Sequence, residues 1–128
     1  MRVLVDTHLL LWAVASSRRL PKEARSLILY TANEVFYSAA SVWEVAIKST
    51  LRRRGFKANL TVLVRALAQS GFSELPVTAA HVARVTGLPA IHRDPFDRLL
   101  VAQSLAEPMT LLTNDAVLLG YGPLVQLV

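Results

Sequence analysis

A chain of 128 residues, 53% of them hydrophobic, is long enough to bury a core as one domain and too apolar to remain disordered. It has no cysteine, which excludes disulfides and thiolate metal sites, and no apolar run near the roughly 20 residues of a membrane-spanning helix. The formal net charge of +5, from 14 Lys and Arg against 9 Asp and Glu, suits a polyanionic partner but equally a plain basic surface.

In chain order, Met1 to Ala15 superficially looks like a secretory signal, with Ala13-Val14-Ala15 as a cleavage site. Asp6 and His8 interrupt its apolar stretch, so the protein is expected to be cytoplasmic. Val3-Leu4-Val5 reads as a buried strand ending at Asp6, followed by helices over Leu9 to Ala15 and Lys22 to Ala32. Val35-Phe36-Tyr37 is a second strand, and Ser41 to Arg54 a helix stopped by Gly55. Leu60 to Ser70 is helical and apolar on almost every side, which predicts a deep core position or cover by another chain. Phe72 to Val77 is expected as a strand and Thr78 to Thr86 as a helix. A further helix covers Leu99 to Ala106, introduced by Asp94-Pro95-Phe96-Asp97. Strands over Met109 to Leu112 and Leu124 to Val128 complete the chain. Alternating short apolar strands and helices imply a single α/β domain, 1–128, built on a parallel sheet.

The acids fall where such a sheet gathers its ligands, at the carboxyl ends of strands. Asp6 ends the first strand and Asp115 follows the fourth. Glu44 and Asp97 lie in the first turns of helices that begin at the same rim. Each also has a plain structural explanation. Ser41-Val42-Trp43-Glu44 is a formal capping box, and Asp94-Pro95-Phe96-Asp97 reads as a cap, a first-turn proline and a dipole-favoured acid. Asp115 could decorate a helix start. Asp6 is hardest to explain this way, because a carboxylate at the end of a buried strand is costly without a partner.

Four acids at one edge, with neither cysteine nor paired histidines, favour a hard cation, Mg²⁺ or Mn²⁺, over zinc. Such a cation would relieve their repulsion, activate water and neutralise charge on a phosphoryl group. Setting those four acids aside leaves 14 basic against 5 acidic residues, a net +9 around an acidic centre. Arg52, Arg53, Arg54 and Lys57 form the densest basic patch and are candidates for phosphate contacts. His8 is placed near the site, His81 on a helix surface, and His92 in the loop before Asp94, as its organiser.

Taken together, Val3-Leu4-Val5-Asp6-Thr7-His8 with Leu10-Leu11-Trp12, Ser41-Val42-Trp43-Glu44, His92 to Arg98, and Leu112-Thr113-Asn114-Asp115 resemble the PIN-domain family. Within it the chain is most similar to VapC-type toxins, in the right motif order over essentially its whole length. The resemblance implies a three-layer α/β/α fold with sheet order 3-2-1-4-5. It also implies Mg²⁺- or Mn²⁺-dependent hydrolysis of RNA, restrained by a cognate antitoxin. By position, Asp6, Glu44, Asp97 and Asp115 match the family's acidic quartet, with Asp94 as a cap and Thr7 and Thr113 as hydroxyls beside the acids. A homodimer is implied as well, and Leu60 to Ala68 is a candidate interface for the antitoxin. Two other classes are weaker. A phosphoacceptor domain wants paired acids after strand one and a late lysine, and no lysine follows Lys57. A non-catalytic nucleic-acid-binding module of the same fold would have no use for the quartet.

Overall fold

The computed structural model of the chain describes residues 1–51 and 59–128. The strands are β1 (Arg2–Val5), β2 (Glu34–Ser38), β3 (Ser73–Leu75), β4 (Thr110–Thr113) and β5 (Val125–Leu127). The helices are α1 (Thr7–Val14), α2 (Lys22–Leu29), α3 (Ala39–Thr50), α4 (Leu60–Gln69), α5 (Ala79–Val85) and α6 (Pro95–Ala106), with a 3₁₀ turn over Ala116–Tyr121. All strand pairs are parallel, in the order β3-β2-β1-β4-β5. β1 is central, with Leu4 opposite Phe36 on one side and Leu111 on the other.

A central parallel strand must be apolar on both faces, and Val3, Leu4 and Val5 are fully buried. Alternation sends them to opposite sides. Val3 and Val5 pack with Leu9, Leu10, Ala24, Val45, Leu63 and Leu67. Leu4 packs with Leu100, Val101, Met109 and Leu118. Two cores flanking one sheet make the expected three-layer α/β/α arrangement. The chain winds outward from β1 to β2 and β3, then crosses to β4 and β5. Strand order therefore reverses between β1 and β4, where a crevice forms at the strand ends.

Several boundaries differ from expectation for local reasons. α1 starts at Thr7 because the Asp6 side chain caps it. α3 starts at Ala39 because Ser38 caps it, accepting from the Ala40 amide at 3.0 Å. Ser41 is therefore inside the helix, and the Ser41–Glu44 capping box does not exist. α6 starts ahead of Leu99, at Pro95 on the Asp94 cap, as the cap-and-proline reading of that stretch expects. α4 buries Leu63 and Leu67 but leaves Val62 and Val64 exposed, so it is a surface helix rather than a deep one. His81, expected on a surface, is 2% exposed. Its Nδ1 accepts from the Thr78 amide at 3.1 Å and its Nε2 lies 2.9 Å from Glu107. Among the described residues no helix is long and apolar enough to cross a membrane.

Candidate metal centre

The crevice is built by residues that hand strands over to helices. Asp6 follows β1; its Oδ1 accepts from the Leu9 amide at 2.9 Å and its Oδ2 from the Thr113 hydroxyl at 2.5 Å. Thr113 ends β4, next to β1, and its Oγ1 also accepts from the Asp115 amide at 3.0 Å. One hydroxyl thus ties the acid of the central strand to that of its neighbour. Thr7 donates to the Ser41 hydroxyl at 2.9 Å, fixing the start of α1 against α3 one turn before Glu44. Asp94 caps α6 through the Phe96 and Asp97 amides at 2.8 and 3.3 Å. Asp97 is thereby held in that helix's first turn.

Three of these acids are helix caps as well as site residues. Asp6 caps α1, Asp94 caps α6, and Asp115 caps the 3₁₀ turn through the Val117 amide at 3.0 Å. Capping does not account for the remaining two. Glu44 is buried on α3, in its second turn; its Oε2 meets the Lys48 ammonium at 2.6 Å. Its Oε1 is the one buried side-chain oxygen or nitrogen without a hydrogen-bond partner among the described residues. Among the described residues Asp97 pairs with no basic group beyond the His92 ring, at 3.5 Å.

The electrostatics place these carboxylates in one neighbourhood. Burial, then the charges of Asp94 and Glu44, push the Asp97 carboxyl up to about 7; His92 opposes this and Asp6 adds to it. Burial also raises Asp6, against the pull of Thr113, the Leu9 amide and His8, and with a push from Glu44. Burial would raise Asp115 too, but hydrogen bonds from His92 and the Val117 amide outweigh it and hold that carboxyl below its ordinary value. His92 Nε2 lies 2.9 Å from Asp115 Oδ2, joining Asp115 to Asp97. One ligand atom from each of His92, Asp97 and Asp115 lies within 4.8 Å of the other two.

The structure therefore brings Asp6, Glu44 and Asp97 into electrostatic contact and links Asp115 to them through His92. Thr7, Thr113 and Asp94 sit beside them as hydroxyl partners and cap. Arg52, Arg53, Arg54 and Lys57 lie outside the described residues. Lys48 and His92 are the site neighbours that sequence reasoning missed. Lys48 stands four residues after Glu44, a helical pairing distance that was open to reading. His92 was credited only with its loop, which it does organise by accepting from the Asp94 amide at 3.0 Å. These residues fit a divalent cation. The donors are mostly oxygen, one buried oxygen has no partner among the described residues, and burial with acid crowding raises Asp97 in the way a cation would reverse.

Comparison with solved structures finds the same fold elsewhere. A chain of the crystal structure of VapBC2 from Rickettsia felis, bound to a DNA fragment from their promoter, superposes with a TM-score of 0.67 at 15% identity. The match covers 100% of this chain and 98% of the other. At that identity the likeness speaks for the fold alone. Comparison with curated proteins gives no match. The PIN domain family model matches residues 3–121, spanning every acid of the crevice, β2 to β4 and all of β1 but Arg2, and the chain belongs to the PIN-domain family.

Proposed function

We propose that the chain is a metal-dependent endoribonuclease that hydrolyses RNA phosphodiester bonds and acts as a VapC-type toxin, held in check by a cognate antitoxin. The observation that carries this reading is the buried Oε1 of Glu44, without a partner among the described residues, near an Asp97 carboxyl lifted to about 7. A fold stabilised only by caps has no reason to bury an oxygen without a partner next to a second crowded acid. A cation site does.

Asp6, Glu44, Asp97 and Asp115 would hold Mg²⁺ or Mn²⁺, and that ion supplies water activation and charge neutralisation at the scissile phosphate. Thr113 keeps Asp6 and Asp115 in register. Thr7 fixes α1 against α3, and Asp94 holds the start of α6 where Asp97 needs it. Lys48 neutralises one oxygen of Glu44 and leaves the other buried without a partner among the described residues. Arg52, Arg53, Arg54 and Lys57 would contact RNA phosphates. The Rickettsia felis neighbour is a complex, which supports an antitoxin partner here, and the exposed Val62 and Val64 of α4 offer apolar surface for it. A homodimer acting in the cytoplasm completes the proposal.

The test is cleavage of total small RNA by antitoxin-free protein, with Mg²⁺ and with EDTA, beside the Asp6→Asn variant. Discrete Mg²⁺-dependent products are expected, with at least a 100-fold loss of rate in the variant. Its melting temperature should stay within a few degrees, since asparagine can keep a cap on α1. Cleavage retained by Asp6→Asn would sink the site assignment. RNA binding without cleavage, in Mg²⁺ and Mn²⁺ alike, would favour a non-catalytic binding module of PIN fold.

A further inference from the structure

His92 touches two of the four acids, and its ring can serve the crevice in two ways. It can give a nitrogen lone pair to a cation, or it can give a hydrogen bond to the carboxylates. The distances to Asp115 and Asp97, 2.9 and 3.5 Å, allow either. The other side of the ring decides between them. Nδ1 lies 3.0 Å from the Asp94 backbone nitrogen, which carries a hydrogen and can only donate. Nδ1 must therefore be the unprotonated nitrogen, and a neutral imidazole of that tautomer carries its hydrogen on Nε2. That hydrogen points at Asp115 Oδ2, and no lone pair remains on Nε2 for a metal. The opposite tautomer would set two N–H groups against each other at Asp94 and two acceptors against each other at Asp115, losing both hydrogen bonds.

The backbone that carries the ring is also held. The His92 amide donates to the Tyr121 hydroxyl at 2.9 Å. Arg98 reaches the carbonyls of Val85, Pro89 and His92 and the Tyr121 hydroxyl, closing the loop around the ring's backbone. A side chain fixed this firmly, with its donor set by a backbone amide two residues on, is suited to orienting another group.

We infer that His92 is a positioning residue: its Nε2–H orients Asp115, and at longer range Asp97, toward the cation site while the ring stays outside the ligand set. This rests on the metal-dependent reading above and adds a partner that aligns the ligands, as outer partners of metal sites do.

Two variants separate the two ends of the ring. His92→Asn keeps an acceptor near the position of Nδ1, and so the Asp94 amide's partner, but removes the distal donor. His92→Gln keeps a donor at the distal position. Calorimetry of Mn²⁺ binding to the full chain should show His92→Asn weaker by about 10- to 100-fold, and His92→Gln recovering to within a few fold of the parent. Equal binding by His92→Asn and the parent, or a Gln variant no better than the Asn variant, would overturn the inference. Long-range ¹H–¹⁵N spectra of the parent chain give a second readout that needs no variant to fold. The His92 proton should be on Nε2 without metal and stay there when Mg²⁺ is added. A proton on Nδ1, or an Nε2 that loses its proton as Mg²⁺ binds, would make His92 a ligand and overturn the positioning role. A parent chain that takes up no Mn²⁺ fails the metal reading itself and removes the positioning role with it. Variant defects against a parent that does bind Mn²⁺ concern His92 alone.

Discussion

Asp97 carries the largest electrostatic burden of the crevice, and its burden predicts how stability depends on pH. In the unfolded chain its carboxyl ionises near 3.8, but in the folded, metal-free chain only near 7. Between those values the folded state holds a proton that the unfolded state has released, so stability falls as pH rises from about 4 to about 7. The full displacement corresponds to a loss of a few kcal/mol, since each pKa unit is worth about 1.4 kcal/mol. Asp115 acts in the opposite sense. Its lowered carboxyl contributes stability that is present above the ordinary value and lost only at lower pH, outside this window. Denaturant unfolding in EDTA should therefore give a lower free energy at pH 8 than at pH 5, and Asp97→Asn should flatten that slope. Saturating Mg²⁺ should restore most of the loss at pH 8. An EDTA-treated chain as stable at pH 8 as at pH 5, with no change in Asp97→Asn, would mean that burial and the neighbouring acids do not lift the Asp97 carboxyl. At this scale the identity of the acids was legible, because aspartate at a strand end or helix start stands out in a sequence. Their double duty was not. Whether a carboxylate caps a helix, faces a crevice or does both depends on where its second oxygen points. For Glu44 that oxygen is buried with no partner among the described residues, a fact only tertiary packing can set.

The placement of Glu44 is a property of a helix and its cap. Ser41-Val42-Trp43-Glu44 satisfies the local pattern of a capping box, but Ser38 takes the cap three residues earlier, at the end of β2. It wins because its hydroxyl serves two partners at once, accepting from the Ala40 amide and donating to the buried Gln103 Oε1 of α6 at 2.5 Å. Gln103 is 65 residues away in sequence, so no local pattern could have revealed the competition. The early start turns Ser41 toward Thr7 and puts Glu44 in the second turn, facing inward. Ser38→Ala should then cost about 1 kcal/mol for the cap and about 1–3 kcal/mol for the stranded Gln103 oxygen. For a chain of this size that amounts to a melting temperature roughly 10 °C lower. A drop under about 2 °C in calorimetry would mean that something else sets the register of α3. The α5 start carries the same lesson. Thr78 and His81 form a reciprocal capping box that places His81 in the core, yet histidine at that position is not part of the usual pattern. The boundary of α1 moved because of an aspartate cap upstream of the first apolar residue, while the Asp94 cap of α6 with Pro95 at its first position was legible in the sequence.

For the molecule as a whole, alternating strands and helices made the α/β class legible, since buried parallel strands must be apolar on both faces. Strand order was not readable from periodicity, which says nothing about which strands are neighbours; the order 3-2-1-4-5 came with the motif resemblance. Charge distribution is a whole-molecule property that the composition did report. With the four crevice acids set aside, the remainder carries a net +9, a body suited to holding a polyanion over an acidic centre. If that body holds RNA, binding must release counterions and weaken with salt, by about 0.7 in the slope of log K against log salt for each single-strand phosphate neutralised. The Asp6→Asn chain in EDTA allows this to be measured without cleavage, by titrating a labelled single-stranded RNA at several KCl concentrations. Replacing Arg52, Arg53, Arg54 and Lys57 together by alanine should flatten the slope by as much as about 3, with a matching loss of affinity at low salt. A slope unchanged by the fourfold replacement would move the phosphate contacts to other basic residues of the body. A slope near zero in the Asp6→Asn chain would separate the positive charge from RNA altogether, leaving the acidic centre without the means to draw a polyanion across it.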